Sequence, residues 1–112
     1  MPPELEVDEH DPACVHVLAR DPAGRPIGTG RLLDDGHVGR VAVVAPWRKH
    51  GVGAAVGRRL FDRARERAMP EVVADAQVRA IGFYERLGGS AEGAEFLDAG
   101  IPHRRMRLRV RR

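Results

Sequence analysis

The sequence predicts an α/β (α+β) sandwich, a mixed and mostly antiparallel sheet carrying two main helices in the order β-β-β-α-β-α-β-β. Three observations carry this expectation. β-branched stretches separated by tight-turn residues open the chain. A long amphipathic segment occupies its middle. A strict alternation of apolar residues with arginine closes it.

Residues 1–13 are acidic and carry Pro2, Pro3 and Pro12, so they read as a loose lead-in to a single domain over residues 14–112. Residues 14–19 form a first strand, and the turn Asp21-Pro22-Ala23-Gly24 returns the chain into a second over 27–33. Asp34-Asp35-Gly36 turns it again into a third strand over 37–45, with Val38, Val41, Val43 and Val44 on it. Residues 51–68 are the clearest helix: Val52, Val56, Leu60 and Ala64 stand four apart, Phe61 and Ala68 widen the stripe, and the arginines fall opposite. Pro70 stops it. A short apolar strand follows over 71–76, then a helix over 78–87 ended by Gly88-Gly89. Strands over 91–96 and 103–110 complete the sheet. In the second, Met106, Leu108 and Val110 alternate with Arg105, Arg107 and Arg109, giving one dry and one wet face.

Composition narrows the class. No apolar run approaches the ~18 residues of a membrane span, and the N-terminus lacks the apolar stretch of a signal peptide. Cys14 is the only cysteine, which excludes an internal disulfide framework and a multi-cysteine zinc site. Together these favour a cytoplasmic location. The net charge of +3 suits an anionic ligand, although a bias towards arginine accounts for it equally well. At this length the core is modest, and an open edge invites a second copy.

The most informative stretch runs from Val41 to Gly53, where a strand enters a short loop that opens the long helix. Amides in the first turn of a helix have no intrahelical partner and sit at the positive end of its dipole. A pyrophosphate fits there. Gly51 and Gly53 remove side chains that would block it, and Arg48 and Lys49 add charge at the rim. The Walker and dinucleotide glycine patterns are both absent.

Arg48-x-x-Gly51-x-Gly53 after such a strand resembles the cofactor turn of the GNAT superfamily of N-acetyltransferases. Gln77-x-x-Ala80-x-x-Phe83-Tyr84-x-x-x-Gly88-Gly89 resembles that family's second cofactor segment, where asparagine is common at the place of Gln77. Phe96-x-x-x-Gly100-Ile101-Pro102-His103-x-x-Met106 is similar to the tail of small bacterial members. The resemblance implies an acetyl-CoA-dependent N-acetyltransferase without a metal, acting on a primary amine of a small molecule or peptide. It implies that Val41, Ala42 and Val43 pair with the pantetheine arm, that Arg48, Lys49, His50, Gly51, Val52, Gly53 and Ala54 hold the pyrophosphate, and that Gln77, Phe83 and Tyr84 line the far side of a V-shaped slot.

Amine acetylation needs a neutral amine and a proton for the leaving thiolate. An ordinary lysine is neutral in only about one molecule in 2,500 at pH 7, an α-amine in roughly one in seven. Tyr84 stands at the family's tyrosine position and is the candidate acid; a core tyrosine capping a backbone group is the alternative. The third strand has no glutamate, so His103 is the candidate base, with a loop-anchoring histidine as its alternative. Glu95 and Asp98 could meet a cationic acceptor or be solvated loop acids. Cys14 reads as a buried thiol and Trp47 as packing over the turn. The arginine run from Arg104 to Arg112 reads as a strand face rather than a nucleic-acid site. Family members usually open with a strand and two helices that build the acceptor pocket, and about a dozen residues before Cys14 are too few for them. A non-catalytic acyl-CoA-binding regulatory module is therefore the alternative function.

Overall fold

The computed structural model describes residues 3–11 and 13–110. Residues 1, 2 and 12 of the expected lead-in and 111 and 112 of the arginine run lie outside them. The described elements are β1 (Glu4–Asp8), β2 (Cys14–Arg20), β3 (Pro26–Leu33), β4 (His37–Val43), α1 (Val52–Glu66), β5 (Glu71–Gln77), α2 (Ile81–Arg86), β6 (Ser90–Asp98) and β7 (Ile101–Arg109). They form one mixed sheet in the order β1-β2-β3-β4-β5-β7-β6, antiparallel except where β4 meets β5.

The order differs from expectation by one strand. Residues 4–8 are not a loose lead-in but an edge strand paired antiparallel to β2 from Glu4↔Arg20 to Asp8↔His16. Period-2 alternation explains it: Leu5 and Val7 pack on the core while Glu4, Glu6 and Asp8 face water. The acids and flanking prolines mask that pattern in the sequence. Glu9 then ties the strand to α1 through Arg63 and Arg67. The second helix is also shorter than expected, because residues 78–80 form a 3-10 turn ahead of it.

Both helices lie on one face of the sheet, where Val56, Leu60 and Ala64 of α1 share a core with Val15, Val17, Leu32, Met106 and Leu108. Fully burying a Val or Leu side chain contributes about 1.5–3 kcal/mol. Close approach of α1 depends on β3. A methyl group at Gly28 would stand 2.8 Å from Val52 Cγ1, and one at Gly30 would stand 2.7 Å from Val56 Cγ1. On the opposite face Arg105 pairs with Asp75, and Arg107 bridges Glu71 and Glu92. The alternation along β7 therefore divides a dry face from a charged, paired one.

Candidate active site

Two irregularities open the sheet. Thr29 pairs with Ala42 and Arg31 with Gly39, so residues 40 and 41 of β4 oppose Gly30 alone. This is a β-bulge, which bends its strand and interrupts the ladder. On its other side β4 pairs with β5 only at His37↔Val73 and Val38↔Ala74. Beyond Val38 the strands part. One arm of the resulting V is β1–β4 with α1; the other is β5–β7 with α2. Both parallel strands run towards its mouth and lead there into helices, so the start of α1 and α2 flank the opening.

Val41, Ala42 and Val43 lie on the separated stretch of β4, with Val41 37% exposed despite its apolar side chain. A 3-10 turn at Ala45–Trp47 follows, and Trp47 packs on the core and edge-on to the His50 ring. Arg48 donates from Nε to the Val43 carbonyl at 3.1 Å, which folds the loop back over the end of β4. Lys49 and His50 are exposed. Lys49 (φ 66°) and Gly51 (φ 80°) both take left-handed backbone, a conformation that glycine adopts freely and lysine does not.

The first α1 hydrogen bond runs from the Ala55 amide to the Gly51 carbonyl at 3.0 Å. The amides of Val52, Gly53 and Ala54 thus have no intrahelical acceptor, and among the described residues no side chain caps them. The Val52 side chain is buried in the core, so that residue can offer only its backbone. A methyl group at Gly53 would meet only Val43 Cγ2, at an ordinary 3.5 Å. The chain's own packing therefore leaves that position room for a side chain it does not carry.

On the second arm Gln77 ends β5, half-buried and opposite His103 in register. Tyr84 is half-buried against the core, its ring edge-on to Phe83 with centroids 5.1 Å apart. Burial pushes its phenol above the ordinary value. The Phe83 ring lies against Gly57 of α1 across the V. His103 is buried, with Nδ1 2.7 Å from the Ile101 carbonyl and its ring stacked on Phe96 at 5.9 Å. A carbonyl only accepts, so Nδ1 carries a proton in this contact, and in the neutral ring the lone pair is on Nε2.

Cys14 is a buried free thiol whose pKa burial raises. Glu95 and Asp98 are exposed on β6. Among the described residues no group of His, Cys, Asp and Glu is arranged to hold a metal ion, and no helix is long and apolar enough to cross a membrane. Sequence reasoning missed the bulge, the seat at Gly57 and the Ile101 carbonyl behind His103. Gly28-Thr29-Gly30 inside a strand was a usable signal of close helix approach.

The profile of the acetyltransferase (GNAT) domain matches residues 5–110. The chain belongs to the GNAT acetyltransferase family. It is 34% identical over 110 residues to the uncharacterized N-acetyltransferase YjcF of Bacillus subtilis, an alignment covering 95% of this chain and 78% of that one. It is also 34% identical over 104 residues to YyaT of the same organism, covering 88% of this chain and 70% of that protein. A crystal structure of an acyl-CoA N-acyltransferase from Pseudomonas aeruginosa superposes with a TM-score of 0.75 at 28% identity, over 85% of this chain and 68% of that one. A GNAT fold with acyl-CoA as acyl donor follows from this membership.

Proposed function

We propose that this GNAT chain is an acetyl-CoA-dependent N-acetyltransferase acting on a primary amine of a small molecule or peptide in the cytoplasm. The parting of β4 from β5 at the start of α1 carries the reading. Pantetheine would pair with the free edge of β4 at Val41, Ala42 and Val43, as an added strand pairs. The pyrophosphate would sit on the amides of Val52, Gly53 and Ala54, with Arg48, Lys49 and His50 around it and Gly51 shaping the turn. A hydrogen bond to a charged group contributes about 1.5–3 kcal/mol. Gln77 and Phe83 would close the far side.

In the reaction the amine nitrogen attacks the thioester carbonyl, the C–N bond forms, and the C–S bond breaks as the thiolate leaves. His103 Nε2 is assigned the amine proton, with Nδ1 held by the Ile101 carbonyl so that the tautomer is already suitable. Tyr84 is assigned the proton given to the thiolate, and its raised pKa keeps the phenol protonated throughout the neutral range.

Free-thiol release from acetyl-CoA over a panel of amines tests this function, and replacing Tyr84 by phenylalanine tests the acid. Loss of a positioned acid costs about 10²- to 10⁴-fold. Tyr84→Phe should lower kcat by about 10²-fold, with coenzyme A affinity within about twofold. Unchanged turnover would remove Tyr84 from the mechanism. One observation favours the alternative, a non-catalytic acyl-CoA-binding module. The sheet face bearing His16, Leu18 and Thr29 has no helix over it among the described residues. Coenzyme A binding without thiol release on any amine would select that alternative.

A further inference from the structure

Strand pairing joins the two arms of the V over a short stretch, and the core that α1 shares with β5 and β7 joins them beneath it. β4 and β5 share the pairs His37↔Val73 and Val38↔Ala74, with one further hydrogen bond from the Val73 amide to the Gly36 carbonyl at 2.9 Å. Beyond this hinge Phe83 of α2 crosses to α1. A methyl group at Gly57 would stand 3.0 Å from Phe83 Cζ and 3.1 Å from Cε2. Gly57 is buried in the middle of a helix, where glycine costs about 1 kcal/mol relative to alanine. Its backbone needs no left-handed conformation, so propensity alone disfavours it there. What the missing side chain provides is a seat for the aromatic ring.

We propose that Gly57 and Phe83 form a cross-cleft pin that fixes the separation of the two arms and thereby positions the Tyr84 phenol. The proposal rests on the reading of Tyr84 as the acid. Phe83 is covalently next to Tyr84 and packs edge-on against it, so the ring that rests on Gly57 also buttresses the phenol. Moving that ring by a few tenths of an ångström displaces α2 relative to α1, and the phenol with it. Gly57 and Phe83 act here through Tyr84 and are positioning residues. Small misplacements of a reacting group have large kinetic effects, up to about 10²-fold for an ångström.

The test is a double-mutant cycle read in kcat, coenzyme A Kd and Tm. Gly57→Ala should lower kcat by about tenfold, leave Kd within about twofold, and leave Tm unchanged or higher, since alanine is the better helix former. In the Tyr84→Phe background the same substitution should cause no further loss, because the group it misplaces is gone. Adding Phe83→Leu to Gly57→Ala should recover most of the activity by vacating the space the methyl needs. Phe83→Leu alone supplies a second route should Gly57→Ala not fold: compared at saturating coenzyme A, it should lower kcat by a larger factor in the native background than in Tyr84→Phe. Either substitution lowering kcat equally in both backgrounds, or in neither, would overturn the pin. If Tyr84→Phe itself left kcat unchanged, the acid assignment would fall first, so the two failures are separable.

Discussion

Gly53 separates two demands made on the first turn of α1. Helix propensity favours alanine there by about 0.8–1 kcal/mol, and the surrounding packing would accept the methyl at 3.5 Å from Val43. On the proposed reading, a pyrophosphate seated on the free amides would compete with it for that space. Gly53→Ala should therefore weaken coenzyme A binding by about tenfold or more while Tm stays level or rises, as calorimetric titration beside thermal melting would read. Gly51 is a less clean probe, because its φ of 80° makes any side chain strained whether or not a ligand is present. The shape of this turn was legible in the sequence, since glycine, arginine and a helix start stood together at Arg48–Gly53. The role of Phe83 was not. Its contact with Gly57 joins positions far apart in the chain, and no local pattern encodes such a meeting.

At the scale of the element, β3 determines how near α1 approaches the sheet. A Cβ at Gly30 would come within 2.7 Å of Val56 Cγ1 and 2.9 Å of Leu60 Cδ1, both on the buried side of the helix. Gly30→Ala should cost about 1–3 kcal/mol by overpacking, read as a lower urea midpoint at constant m. The equivalent change at Gly39, where nothing lies within 4 Å, should be mild by comparison. Strand and helix identities were readable because each rests on its own periodicity. The bulge in β4 was not, because it is a mismatch between two strands and appears only when they are placed in register. The edge strand β1 lay between these cases. Its alternation was present in Leu5 and Val7, but five residues of period-2 pattern were too short to outweigh the acids and prolines around them.

For the whole molecule, a set of carboxylates ties distant parts of the chain together. The Arg63 guanidinium, assisted by Arg67, holds Glu9 below the usual carboxylate range and so fastens β1 to α1. The Arg25 and Ala23 amides, with the Arg25 side chain, lower buried Asp21 in the turn between β2 and β3. Arg107 lowers Glu92 across β6 and β7. A carboxyl whose pKa is lowered by folding contributes stability above its unfolded value, and that contribution is lost as pH falls through the folded value. Tm should accordingly decline as pH drops below about 4–5. Glu9→Gln and Asp21→Asn should each lower Tm at neutral pH and flatten that acid decline. A decline of equal steepness in both variants would show that other groups govern it.

The parting of the two parallel strands ahead of an uncapped helix start makes one spatial commitment that a single structure can check. Crystals grown with coenzyme A should place the pantetheine arm along Val41–Val43, on the unpaired edge of β4 that faces β5 across the opening, and the pyrophosphate oxygens within hydrogen-bond reach of the Val52, Gly53 and Ala54 amides. Density for the coenzyme at any other location, with those amides bound only to water, would contradict the account.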